Sequence, residues 1–465
     1  MSMRWLSGLS AAALCAVLLA GCAGGGGGTA SGGGNNEEVE LIQDLDGYEF
    51  VVAQGSEYGE AAYPEKGQSD YTDAIIARNE RVQKQFNCKI RYEYYDPQTF
   101  YDKAHTSIMS GDKFADVMIP CLFAFGQLVF TGDLYDMSAI PQLKMNEDYW
   151  DSAFADMATL QGKVYGSNSQ MTNWIRESMG VLYNKRLAEE MQLGDLVGMV
   201  KDNTWTWDTF KTLVSKSAKD LDNNGQFDEN DQWACTSANY DGIVPFFLSS
   251  GKKIFRKGEG DRIEYALSDS ETLSALVKMK DMFSTPGAMY RPNFDYNKIV
   301  KQFVDGKCVF FLNAAFSSGL RDMQDDFGVL PFPRGDYRDS YINTFGHNAP
   351  ILCIPTTIPD PEKTGLILDA LCKESAAERS IYLNEQGTAQ LRDTESLEIL
   401  ETYIIPNTYV DIAIPFKTMT MDLYNATDCA IGNPTIMDPK AQSVDLIEAY
   451  KDIAQTDIND IFGQS

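Results

Sequence analysis

"YEFVVAQG" (48–55), "DYTDAIIARNERVQKQFNC" (70–88), "KIRYEYY" (89–95), "FYDKAHTSIMSGD" (100–112) and "ADVMIP" (115–120) follow one another in the first quarter of the chain. The first and third alternate apolar and polar residues, and the last is a short apolar run, so all three read as strands. The second sets Ile75, Val82 and Phe86 near helical spacing, and the fourth reads as a second helix ending at Gly111. Strand, helix, strand, helix, strand is the sequence form of right-handed crossovers that lay parallel strands into one sheet. The expected class is α/β.

Downstream the pattern restarts at about residue 165. "GVLYNKRLAEEMQL" (180–193) runs from strand into helix, and "TWTWDTFKTLVSKSAKDLD" (204–222) sets Trp207, Phe210, Leu213 and Val214 on one helical face. "WACTS" (233–237) is strand-like and "SETLSALVKMKDMFS" (270–284) helical. "NKIVKQFVDGKCVFFLNAAFSSGL" (297–320) is helix, glycine turn, buried strand and loop. The last hundred residues read mainly as helix, as in "PDPEKTGLILDALCKES" (359–375) and "SVDLIEAYKDIAQTDINDIF" (443–462). No internal repeat is visible. Two successive α/β patterns over about 425 residues imply two lobes, each with its own core.

The first residues, "MSMRWLSGLSAAALCAVLLAGC" (1–22), carry a positive charge at Arg4 and an apolar run from Leu6 to Ala20 that ends in small residues. That is a secretory signal, too short for a membrane span. Its end, Leu19-Ala20-Gly21-Cys22, resembles the bacterial lipobox, in which the cysteine is acylated and becomes the mature N-terminus. "AGGGGGTASGGGNNEE" (23–38) then reads as a flexible tether with a reach of roughly 25 Å. A lipid on Cys22 makes the protein membrane-anchored and extracytoplasmic.

Acidic residues outnumber basic ones 67 to 39, for a net charge of −28. This argues against nucleic acid and against close contact with an anionic membrane surface. Of nine cysteines, Cys88, Cys121, Cys235, Cys308, Cys353, Cys372 and Cys429 remain once Cys15 and Cys22 are set aside. An odd number, scattered singly, is not a disulfide framework, and buried free thiols are expected. No Cys/His cluster suggests zinc.

Five stretches resemble, in order, the landmarks of type 1 extracellular solute-binding proteins of carbohydrate ABC transporters. They are "LQGKVYGSNSQ" (160–170), "GVLYNKRLAEE" (180–190), "TWTWDTFKTLVSK" (204–216), "QFVDGKCVFFLN" (302–313) and "FGVLPFPRG" (327–335). "CLFAFGQLVF" (121–130), after the third strand, is more apolar than the family pattern. The resemblance implies a two-lobed periplasmic-binding-protein-like fold with a ligand cleft between hinged lobes. On that basis residues 1–21 are signal and 22–45 the lipidated cysteine and tether. Lobe 1 takes 46–165 and about 313–365, and lobe 2 takes 166–312 and about 366–465. The implied function is capture of a mono- or oligosaccharide, as a monomer without enzymatic activity, for delivery to ABC permease subunits.

"DLDNNGQFDEND" (220–231) has the spacing of an EF-hand calcium loop. Asp220, Asp222, Asn224 and Asp231 offer side-chain oxygens, Gln226 its carbonyl, and Asp228 a contact through water. Gly225 permits the sharp turn. Aspartate at the twelfth position has a shorter arm than glutamate, which weakens bidentate binding. Because a strand follows instead of a second helix, a structural calcium ion is expected, not a sensor; an Asx-rich turn without metal is the alternative.

Open α/β sheets bind ligands at the C-terminal ends of their strands, and sugar sites combine aromatic faces with Asp, Asn, Glu and Arg. This selects Glu57 and Tyr58 after the first strand and Phe123 after the third. Asn173, Trp174 and Arg176 lie ahead of "GVLYNK". Asn239, Tyr240 and Asp241 follow "WACTS", and Asn313, Phe316 and His347 come from the later loops. Each ring also suits plain core packing. Two other classes stay open: a cell-surface glycoside hydrolase, which needs two carboxylates across a sugar, and a peptide- or metabolite-binding lipoprotein of the same architecture.

Overall fold

The computed structural model describes residues 39–56, 65–237, 240–259, 262–292, 295–320, 323–335, 338–416 and 451–463, the last without 453, 457 and 461. Cys22, Glu57, Tyr58, Asn239, Cys429, the tether and most of the 443–462 helix lie outside these residues. The side chains of Tyr240 and Asp241 do too.

Three strands, β1 (Tyr48–Gly55), β2 (Cys88–Tyr94) and β3 (Val117–Pro120), form a wholly parallel sheet in the order β2-β1-β3. The crossovers are α1 (Asp70–Phe86) and α2 (Phe100–Met109). Ser69 starts α1 through a capping box: its hydroxyl accepts from Thr72 N–H while the Thr72 hydroxyl accepts from Ser69 N–H. Asn87 ends the helix in the left-handed region, at φ 42°. Alternate residues of β1 serve opposite faces. Phe50 and Val52 join Val82 and Phe86 of α1, while Val51 and Ala53 join Phe100 and Ile108 of α2. A parallel sheet covered on both faces needs such strands.

The second sheet has five strands: β4 (Met179–Asn184), β5 (Trp233–Ser237), β6 (Met289–Tyr290), β7 (Cys308–Ala314) and β8 (Phe327–Leu330). Their order is β6-β5-β7-β4-β8, with β6, β5 and β7 parallel and β4 antiparallel to both neighbours. Helices α3 (Leu122–Phe130), α4 (Ser152–Met157), α5 (Lys185–Glu190), α6 (Trp207–Ser217), α7 (Tyr240–Leu248), α8 (Ser270–Phe283) and α9 (Tyr296–Val304) precede or link these strands. Trp205, Trp207, Phe210 and Phe246 fill the core on this side. Near the C-terminus come α10 (Pro361–Glu374) and α11 (Glu378–Gln386).

Two of the segments that carry the chain between the sheets pair antiparallel, through Ser167 with Leu352 and Ser178 with Phe345. The assignment of elements to lobes differs from the sequence reading in two places. Residues after 313 were expected with the first lobe, yet β8 pairs with β4 and completes the second sheet. Residues after 366 were expected with the second, yet α10 sets Ile367, Leu368 and Leu371 against Phe50 and Val52 of the first. The reason is the same in both: apolar periodicity marks an element but not the surface that it covers. Cys88, Cys121, Cys235, Cys308, Cys353 and Cys372 are buried free thiols.

Candidate functional site

Parallel strands put their C-terminal ends on one edge of a sheet. In the first sheet that edge holds Gly55 of β1 and Pro120 of β3; in the second it holds Ser237, Tyr290 and Ala314. Three rings join the two edges. Tyr71 stands in the first turn of α1, Phe316 follows β7, and Tyr382 lies in α11 between them. The Tyr382 ring centroid is 5.3 Å from that of Tyr71 and 5.8 Å from that of Phe316, both edge-to-face.

Polar groups surround these rings. The Tyr382 hydroxyl is turned toward Asn173 but makes no full hydrogen bond. Burial pushes its pKa up to about 12 despite the nearby Arg176 guanidinium. Glu385, three residues on, accepts the Tyr71 backbone N–H at 3.2 Å.

A buried seam fixes α11 against α1. Arg78, fully buried, donates to Glu378 at 3.2 Å, to the Ser375 hydroxyl at 3.0 Å and to the Tyr92 hydroxyl at 2.9 Å. A charge so enclosed is tolerated only when its donors are satisfied. Arg81 adds a half-exposed pair with Glu374 at 2.9 Å. Glu378 lies one turn before Tyr382, so the seam also sets where that ring stands.

The structure therefore brings together Asn173, Arg176 and Phe316 of the expected residues. It adds Tyr71 and Tyr382, which sequence reading missed because each sits in an ordinary amphipathic helix. Trp174 is elsewhere. Its indole N–H donates to Asp151 at 2.7 Å, Arg379 lies over its ring at 5.1 Å, and Phe154 and Phe345 pack against it at 5.4 and 5.7 Å. Phe123 is half-buried against the main core. His347 is half-buried in the turn beyond Phe345. Asn313, buried near the end of β7, donates to the Tyr296 hydroxyl at 3.4 Å. Tyr240 and Asp241 open α7.

A cavity of about 490 Å³ is lined by other residues, among them Asp156, Lys253, Arg256, Lys257 and Tyr409. Arg256 is neutralised there by Glu264 and Asp269. No strand end of either sheet is among the described residues that line this cavity, so the converging rings mark the better candidate.

In the 220–231 loop, carboxylate oxygens of Asp220, Asp222 and Asp231 lie within 4.8 Å of one another. Gly225 takes φ +80°. Its N–H does most to hold the Asp220 carboxyl below the usual range. Asp231 is buried and accepts the N–H groups of Leu221 and Asp228, each at 2.8 Å. The Asn224 carbonyl oxygen accepts the Gln226 N–H, and Asp228 accepts that of Asn230, so these two side chains close turns. Three hard oxygen donors suit calcium in kind.

The family of bacterial extracellular solute-binding proteins matches residues 77–381, well over half of the chain. This chain belongs to that family. Membership places it outside the cytoplasm, and no helix among the described residues is long and apolar enough to cross a membrane. Solved structures share the fold of this solute-binding protein at low identity. A cyclic α-maltosyl-1,6-maltose binding protein from Arthrobacter globiformis is 15% identical with a TM-score of 0.62, over 90% of this chain and 100% of that one. An ABC substrate-binding protein from Listeria monocytogenes in complex with cycloalternan is 14% identical with a TM-score of 0.58, over 90% and 100%. A maltose-binding periplasmic protein from the same organism in complex with maltose is 15% identical with a TM-score of 0.59, over 88% and 99%. No curated protein matches by sequence.

Proposed function

We propose that this solute-binding protein captures a mono- or oligosaccharide between the two strand edges and delivers it to an ABC importer. One observation carries the reading: Tyr71, Phe316 and Tyr382 draw aromatic faces from both edges together beside Asn173 and Arg176. Rings with polar neighbours are what a sugar needs, because it offers apolar faces and a polar rim. Two proteins of like fold were solved with cycloalternan and with maltose, which supports the same class.

The protein acts as a monomer and makes or breaks no bond. A lipid on Cys22 anchors it, and a calcium ion held by Asp220, Asp222 and Asp231 staples the 220–231 loop. Thermal-shift screening with sugars, peptides and small metabolites tests the ligand class, since a binder gains RT ln(1 + [L]/Kd). Sugars raise the melting temperature on this reading. A shift with peptides alone overturns it, and turnover of an oligosaccharide overturns the binder in favour of a hydrolase. Cys22→Ala, which releases the protein from the membrane fraction, tests the anchor.

A further inference from the structure

Tyr296 is the first residue of α9, and its helical face is the one that covers the second sheet. Tyr296, Ile299 and Phe303 stand at i, i+3 and i+7, one stripe of the helix. Ile299 and Phe303 are fully buried, yet Tyr296 is 45% exposed. The position of the helix explains this. Helix α9 starts beyond the end of β6, so its first ring overshoots the sheet and stands above the edge where β5, β6 and β7 finish. Two contacts hold it there. Asp295 caps the helix by accepting the Lys298 N–H at 3.2 Å, and Asn313 donates to the Tyr296 hydroxyl at 3.4 Å. Asn313 precedes Phe316 by three residues, which limits their separation to roughly 10 Å.

We propose that Tyr296 is an outer stacking platform, so that the site takes a linear oligosaccharide and not a single sugar. One unit lies at the Tyr71, Phe316 and Tyr382 cluster, and a later unit lies on Tyr296. A ring held near its hydroxyl and nearly half exposed has the form that such a platform requires. This inference rests on the sugar-capture reading above and adds chain length to it.

Calorimetric titration with maltose, maltotriose and maltotetraose, on wild type, Tyr296→Ala and Tyr296→Phe, tests the assignment. Wild type is expected to bind the longer sugars more tightly. Tyr296→Ala erases that gain, weakening the longest sugar roughly tenfold, the loss typical of a contact that matters at an interface. Maltose affinity stays within about twofold of wild type, and Tyr296→Phe, which keeps the face, retains most of the gain. Equal weakening of all three sugars by Tyr296→Ala overturns the platform and makes the ring a support for Asn313. No change with any sugar overturns it as well. Wild type that binds none of the three overturns the linear-oligosaccharide assignment, whereas the absence of a thermal shift with any sugar removes the sugar-capture reading, which separates the two failures.

Discussion

Phe154, Trp174 and Phe345 form one three-ring cluster between the sheets, and Tyr71, Phe316 and Tyr382 form another. Both are buried and both lie beside an arginine. They differ in how their polar atoms are satisfied. The Trp174 N–H has the Asp151 carboxylate, which Arg379 also holds at 2.9 Å, and Phe154 stacks flat on Phe345 at 4.7 Å. The one polar ring atom of this cluster, the indole N–H, is satisfied. The second cluster leaves the Tyr382 hydroxyl short of a full hydrogen bond, with an amide, a guanidinium and a carboxylate around it. Burial alone does not distinguish the two clusters; the state of their hydrogen bonding does.

Trp174→Ala challenges that distinction most directly. Removing a large, fully packed ring should cost about 4 kcal/mol of stability, read from the denaturant midpoint. Unchanged stability with loss of sugar binding would reverse the roles of the two clusters.

Asp411 is a second buried polar group whose hydrogen bonds are made. It is fully buried and accepts the N–H groups of Ile254 at 3.2 Å and Ala413 at 2.9 Å. Burial, the largest influence, still raises its pKa to about 6, against about 3.9 in an unfolded chain. As pH rises the unfolded state gives up this proton first. The penalty is therefore absent below about pH 4, grows through the window to pH 6 and is full above it, reaching about 3 kcal/mol. Asp411→Asn should lose stability at pH 4 but recover by that amount relative to wild type between pH 4 and 7. Parallel stability curves for the two proteins would refute it.

Tyr382→Ala tests the other cluster. Affinity for an oligosaccharide should fall roughly thirtyfold, about 2 kcal/mol, while Tyr382→Phe, which spares the ring, loses far less. Calorimetry that ranks the two variants alike would mean the ring face is not used.

The smallest effect belongs to the 220–231 loop, outside both clusters. Calcium at ten times its dissociation constant adds about 1.4 kcal/mol. Chelation should lower the melting temperature of wild type but not of Asp231→Asn, and leave sugar affinity unchanged. A chelator without effect removes the ion from the account.

Local pattern carried the sequence reading a long way. The runs at 48–55, 70–88 and 89–95 became β1, α1 and β2 because alternation and capping are properties of neighbouring residues. Pairing at a distance was less legible. Strand β8 is four apolar residues whose partner lies more than 140 positions earlier, at Asn184 for Phe327. Nothing local in "FGVL" names that partner. The candidate rings followed the same division. Phe316 was a candidate in the sequence because it follows a strand, and Asn173 and Arg176 because they precede one. Tyr71 and Tyr382 were hidden in helical stripes, since only the docking of α11 on α1 brings them to the edges.

The contact between Tyr71, Tyr382 and Phe316 has a consequence for the sugar-free chain. These rings already occupy one another, so a ligand that entered among them would compete with the protein's own side chains before it gained anything. Measured affinity is then a difference between two sets of contacts. Trimming Phe316 would weaken the incumbent and the newcomer together.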